Sequence, residues 1–148
     1  MFNSILLVCT ANICRSPIAE ALFQKHFPSK KIGSAGTNVE ELNLISTVAE
    51  PGSVTVAAEN GLDISKHRAK QVTKEILAQY DLILVMDEYQ KELLSNYSAG
   101  IRGKTFLIGQ WINIGQIKDP FGKGESEFNT CYQCLEQAVM SWKKRIPH

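Results

Sequence analysis

Cys9 is followed six positions later by Arg15, and this pair is the strongest candidate for chemistry in the chain. A thiolate is a good nucleophile toward phosphorus, and a guanidinium holds two phosphate oxygens in a planar fork, following their charge as the transferring group becomes trigonal. Lysine offers no equivalent fork. Between the two residues run Thr10, Ala11, Asn12, Ile13 and Cys14, with Ser16 next. If this stretch curls into a helix start, its backbone N–H groups turn inward and make an anion-binding concavity reinforced by the helix dipole. The same field favours thiolate over thiol at a cysteine so placed. A covalent phosphocysteine also needs a group that protonates the departing oxygen and later deprotonates water. Asp119 is the candidate, because Pro120 holds it extended in a loop near the same sheet edge. Taken singly, each residue has a plainer use: Cys9 and Cys14 as small buried groups, Arg15 as a surface charge, Asp119 as an Asp-Pro turn.

The surrounding elements decide between these uses. Ile5-Leu6-Leu7-Val8 is a continuous apolar run that suits a central parallel strand ending at Cys9. From Ser16 the pattern becomes helical, with Ser16 as N-cap, Pro17 at the first helical position and Ile18, Ala19, Leu22 and Phe23 at helical spacing before Pro28. Strand, short loop and helix are the setting that a phosphate loop requires. Residues 31–36 form a second predicted strand, 82–86 a third and 105–108 a fourth. Helices are predicted over 53–60, stopped by Gly61, and over 73–79, 88–95 and 125–144, the last with Phe128, Cys131, Leu135, Ala138 and Trp142 on one side. Residues 38–50 receive no assignment. The alternation predicts an α/β fold, a mostly parallel sheet with helices on both faces, whose ligands gather at the carboxyl ends of the strands.

The chain has 148 residues, 44% of them hydrophobic, which predicts one domain over 1–148. Sixteen Lys and Arg stand against fifteen Asp and Glu, so no global field argues for nucleic acid or an anionic membrane as partner. An anion must be recognised locally. The opening residues lack a basic n-region, and no apolar run reaches the roughly 18–20 residues that span a bilayer, so a cytoplasmic protein without membrane insertion is expected. In a reducing compartment Cys9, Cys14, Cys131 and Cys134 are free thiols rather than a disulfide framework. Cys131 and Cys134 form a Cys-x-x-Cys within the last helix, with no second pair or histidine cluster to complete a zinc site, so they read as helix packing.

Along nearly its whole length the chain resembles the low-molecular-weight protein tyrosine phosphatases. The carriers of the resemblance are Val8-Cys9-Thr10-Ala11-Asn12-Ile13-Cys14-Arg15-Ser16-Pro17, then Ser34-Ala35-Gly36-Thr37, residues 63–71, Val85-Met86-Asp87 and Asp119-Pro120-Phe121, in the family's order. The resemblance implies a flavodoxin-like three-layer sandwich on a four-stranded parallel sheet, no metal and no cofactor. It implies a phosphocysteine mechanism with Cys9 as nucleophile, Arg15 as phosphate clamp and Asp119 as general acid, then base. Residues 10–14 and Phe121 would bind substrate, Ile13 and Phe121 walling a slot for a phosphorylated aromatic ring. Asn12, Ser16, Ser34 and His67 would hold the loop by hydrogen bonds; on its own terms His67 is a surface histidine. Phosphate or vanadate would occupy the site, and Cys14 would be able to form a protective disulfide with Cys9. Ala11 departs from the family's usual glycine, at a cost of about 1 kcal/mol if that position needs positive φ. Gly122 departs as well, which makes the rim less aromatic.

Ala49-Glu50-Pro51, Arg102-Gly103-Lys104 and Gly109-Gln110-Trp111 are most similar to the bacterial branch paired with tyrosine autokinases of capsule and exopolysaccharide export. A phosphotyrosine-rich kinase tail is the implied substrate. Three rivals stand beside this reading. Arsenate reductase of the same fold needs further resolving thiols after the third strand, where Met86-Asp87-Glu88 carries none. A cysteine phosphocarrier would not need Arg15 or Asp119. A non-catalytic phosphotyrosine-binding module would be marked by loss of Cys9 or Asp119, and both are present.

Overall fold

The computed structural model describes residues 2–147. Strand β1 (Ser4–Cys9) is buried at every position and lies inside a four-stranded sheet. Its neighbours are β2 (Lys31–Gly36) on one side and β3 (Leu82–Val85) on the other, and β4 (Thr105–Leu107) closes the order β2-β1-β3-β4. All three pairings are parallel. The fold is the α/β sandwich expected.

A parallel central strand needs cover on both faces, and the side chains of β1 divide accordingly. Ile5, Leu7 and Cys9 pack with α1 (Arg15–His26), α2 (Pro51–Glu59) and α5 (Glu125–Lys143), through Phe23, Val56, Leu135 and Trp142. Leu6 and Val8 pack on the opposite side with α3 (Lys74–Ala78) and α4 (Glu88–Ser95), through Leu77 and Leu94. Thr73 and Asp87 cap α3 and α4, their side chains accepting from Ile76 N and Gln90 N. Among the described residues no helix is long and apolar enough to cross a membrane.

Two expectations are corrected. Helix α1 begins at Arg15 with Cys14 in the N-cap position, so Ser16 lies inside the first turn rather than capping it. The Ser16 hydroxyl is taken by Cys9 and Asn12 instead. Helix α2 begins two residues earlier than expected, because Pro51 fits the first helical position. Residues 38–50, unassigned in the sequence, form a chain of turns in which Asn43 and Ser46 adopt positive φ.

Candidate active site

The loop between β1 and α1 closes on the Cys9 sulfur. Asn12 N donates to Cys9 Sγ at 3.2 Å, and Ser16 Oγ lies 3.0 Å from the same sulfur. Both Asn12 and Ser16 are fully buried. Asn12 adopts φ +57°, whereas Ala11 is not among the positive-φ residues. The left-handed turn of the loop therefore falls on asparagine, which tolerates it, and Ala11 carries no such cost. Gly36, at the end of β2, permits the loop's close approach: a Cβ there would stand 2.6 Å from Thr10 O and 3.0 Å from Asn12 N.

Asn12 is the hub beneath the loop. Its Nδ2 donates to Ser16 Oγ at 2.7 Å and Ser34 Oγ at 3.0 Å, and its Oδ1 accepts from Lys70 N at 3.0 Å. The Lys70 amide can only donate, which fixes the orientation of the Asn12 amide. The Asn12 carbonyl accepts from His67 Nε2 at 2.6 Å, so that nitrogen carries the proton. Ser34 Oγ donates in turn to Glu20 Oε1 at 2.6 Å, and Glu20 lies 3.9 Å from His67 Nδ1. Burial pushes the pKa of His67 below its ordinary value, the Asn12 carbonyl and Glu20 opposing the shift.

Arg15 is 3% exposed and donates from Nη1 to the Ile117 carbonyl at 2.7 Å, while its Nε has no hydrogen-bond partner. A buried guanidinium with an unsatisfied N–H, in the loop whose Asn12 amide points at the sulfur, fits an anion of several oxygens. Arg15 Nη2 stands 3.9 Å from Asp119 Oδ2. Asp119 Oδ1 accepts from Phe121 N at 3.0 Å, so the residue builds an Asx turn and faces Arg15 at once.

A cavity of about 290 Å³ opens above the sulfur, lined by Cys9, Ile13, Arg15, Asp119 and Phe121 among others. Thr10, Ala11 and Cys14 also reach it. Asn12, Ser16, Ser34 and His67 do not line it; they lie in the hydrogen-bonded chain below. Burial, with Asp119 and Cys9 adding, pushes the Cys14 thiol far up from its ordinary value, and Cys9 and Cys14 are both free thiols.

Several contributors escaped the sequence. Leu42 and Leu44, from the unassigned segment, form part of the cavity wall. Glu20 sits one turn after Ser16 on α1, a spacing that puts the two on one face. Gln90, fully buried on α4, accepts from Met86 N at 2.8 Å and donates to Thr10 Oγ1 at 3.1 Å. Nothing in its local sequence marks it.

A buried arginine and a hydrogen-bonded sulfur at the carboxyl edge of a parallel sheet define a cysteine–arginine phosphate loop. The family model described as low molecular weight phosphotyrosine protein phosphatase matches residues 4–148. The low molecular weight protein-tyrosine-phosphatase Etp of Escherichia coli (strain K12) is 40% identical over 98% of this chain and 95% of its own. Vibrio vulnificus Wzb, solved in complex with benzylphosphonate, superposes with TM-score 0.96 at 40% identity, covering 99% of this chain and 100% of that one. The tyrosine phosphatase Wzb from Escherichia coli K30, in complex with sulphate, gives 0.94 at 41% identity over 99% and 100%. The chain belongs to the low molecular weight phosphotyrosine protein phosphatase family and is a bacterial-type protein-tyrosine-phosphatase.

Proposed function

We propose that the enzyme hydrolyses phosphotyrosine through a phosphocysteine on Cys9, with Arg15 as phosphate clamp and Asp119 as general acid and then base. The observation that carries the reading is the Cys9 sulfur, which meets both Asn12 N and Ser16 Oγ at the mouth of a helix and shares its cavity with Arg15 and Asp119. Cys9 Sγ attacks phosphorus in line with the ester oxygen, and the guanidinium and loop amides hold the three equatorial oxygens. Asp119 gives its proton to the departing phenolate, then takes one from the water that cleaves the S–P bond. Asn12, Ser16, Ser34 and His67 position the loop. Ile13 and Phe121 flank the ring, joined by Leu42 and Leu44. An aromatic phosphonate bound to the Vibrio relative is in keeping with such a slot.

The physiological substrate we infer is the phosphotyrosine-rich tail of a tyrosine autokinase of polysaccharide export, met in the cytoplasm, where Cys9 stays reduced. The resemblance of 49–51, 102–104 and 109–111 to that branch supports this. The test is metal-free hydrolysis of para-nitrophenyl phosphate near pH 6 by the wild type and Cys9→Ser, with and without vanadate. Vanadate-sensitive turnover lost in the variant is expected; turnover retained by Cys9→Ser overturns the mechanism.

A further inference from the structure

Seven large hydrophobic side chains stand exposed among the described residues, and four of them, Leu42, Ile45, Val48 and Phe121, belong to the two segments that wall the catalytic cavity. Apolar residues exposed singly are ordinary, whereas a cluster beside a binding cavity marks an interaction surface. Three of the four fall within the seven residues 42–48.

The segment that presents them is tied to the phosphate loop at both ends. Asn38 N donates to the Thr10 carbonyl at 2.9 Å, and Glu50 N to the Ile13 carbonyl at 2.8 Å. Between these ties Ser46 N donates to Ala69 O and Ala69 N to Thr47 O, each at 2.8 Å. Gln71 clamps the head of the segment, accepting from Glu40 N at 2.9 Å and donating to Thr37 O at 2.8 Å. On this frame Leu44 packs against the core and reaches the cavity, while Leu42, Ile45 and Val48 are turned to solvent. The turn that separates Leu44 from its neighbours uses positive φ at Asn43 and Ser46, a backbone that serine adopts only when it is held there.

We propose that Leu42, Ile45 and Val48 are a docking surface for the protein substrate and receive an aliphatic side chain two residues from the phosphotyrosine. A protein substrate delivers its phosphorylated ring with the main chain attached, so that chain crosses the rim of the cavity. In an extended segment successive side chains alternate and rise about 3.3 Å per residue, so residues two away point to the same face as the ring and land roughly 7 Å to either side. On the side of the 38–50 segment, what stands at the rim is aliphatic surface continuous with the cavity wall through Leu42 and Leu44. An aliphatic substrate side chain takes that surface out of water, and a polar one leaves it wet. The inference rests on the reading of the cavity as a phosphotyrosine site.

The experiment compares three phosphotyrosine peptides on one alanine-rich frame, with leucine two residues before the phosphotyrosine, leucine two residues after it, or alanine at both places. Phosphate release is followed for wild type, for the double variant Ile45→Ser, Val48→Ser, and for the conservative double variant Ile45→Leu, Val48→Ile. For wild type, one of the leucine peptides is expected to exceed the alanine peptide by about five- to tenfold in kcat/KM, mostly through KM. The serine variant loses that preference and the conservative variant keeps it, while the alanine peptide and para-nitrophenyl phosphate are turned over alike by all three proteins. Equal rates on all peptides with wild type, or a preference that survives in the serine variant, overturns the proposal. So does a wild-type dimer in sedimentation velocity that the serine variant lacks, since a second copy would then be what covers the surface. Vanadate-sensitive hydrolysis of para-nitrophenyl phosphate reports separately on the site: if it is present while the peptides are not distinguished, only the present inference fails.

Discussion

The Asn12 side-chain amide donates to Ser16 Oγ, and Ser16 Oγ lies 3.0 Å from Cys9 Sγ. The serine oxygen accepts from Asn12, and its hydroxyl can donate to the sulfur once Cys9 has given up its proton. A hydrogen bond to a charged group contributes about 1.5–3 kcal/mol, so Ser16→Ala is expected to lower kcat by about ten- to a hundredfold. Alkylation of Cys9 by iodoacetate near neutral pH slows with it, while the melting temperature changes little. An unchanged alkylation rate would show that the serine proton points elsewhere.

Asp119 shares its two oxygens between an Asx turn with Phe121 and the approach to Arg15. Asp119→Ala removes both, whereas Asp119→Asn keeps an oxygen for the turn and loses the acid together with the negative charge facing Arg15. For phenyl phosphate both variants are expected to lose about 10²–10³ in kcat, and for para-nitrophenyl phosphate much less. Equal losses on the two esters would count against Asp119 as the proton donor. A large gap between Ala and Asn would assign its weight to the turn.

The strand–loop–helix around Cys9 was legible because its signals are local: an apolar run, a cysteine, an arginine and a Ser-Pro pair within fourteen residues. The same pair misled on the helix start, since Ser-Pro ordinarily marks a cap and first turn, and here the hydroxyl bonds a sulfur seven residues back. The 38–50 segment was illegible for a different reason. It has no period; bonds such as Leu44 N to Val39 O and Ser46 N to Ala69 O set its path, with positive φ at Asn43 and Ser46. That path is what brings Leu42 and Leu44 to the cavity. Glu20 and Gln90 escaped because their partners lie 14 and 80 residues away, at Ser34 and Thr10.

Gln90 is the clearest case of such a distant support. It joins the end of β3 to the phosphate loop, accepting from Met86 N and donating to Thr10 Oγ1. Gln90→Leu keeps the volume and leaves the buried Met86 N–H unpaired, at about 1–3 kcal/mol. For a chain of this size the melting temperature is expected to fall by about 2–10 °C. The loop loses its tether at Thr10, so KM for aryl phosphates rises as well. A melting point within a degree of wild type would mean that another group satisfies Met86 N.

His67 makes the stability of the fold depend on pH, and the sign follows from its surroundings. Burial lowers its folded pKa, while the unfolded side chain titrates near ~6.5. As pH falls through ~6.5 the unfolded chain takes up the proton first, so the neutral-His67 contribution is complete above that value. It is lost as pH falls from ~6.5 toward the lower folded pKa, and no further below it. His67→Gln can still donate to the Asn12 carbonyl but does not titrate. Urea midpoints between pH 7.5 and 5.0 are therefore expected to drop more steeply for wild type than for His67→Gln. Parallel drops would mean that His67 keeps its ordinary pKa in the fold and that the pH dependence arises from other groups.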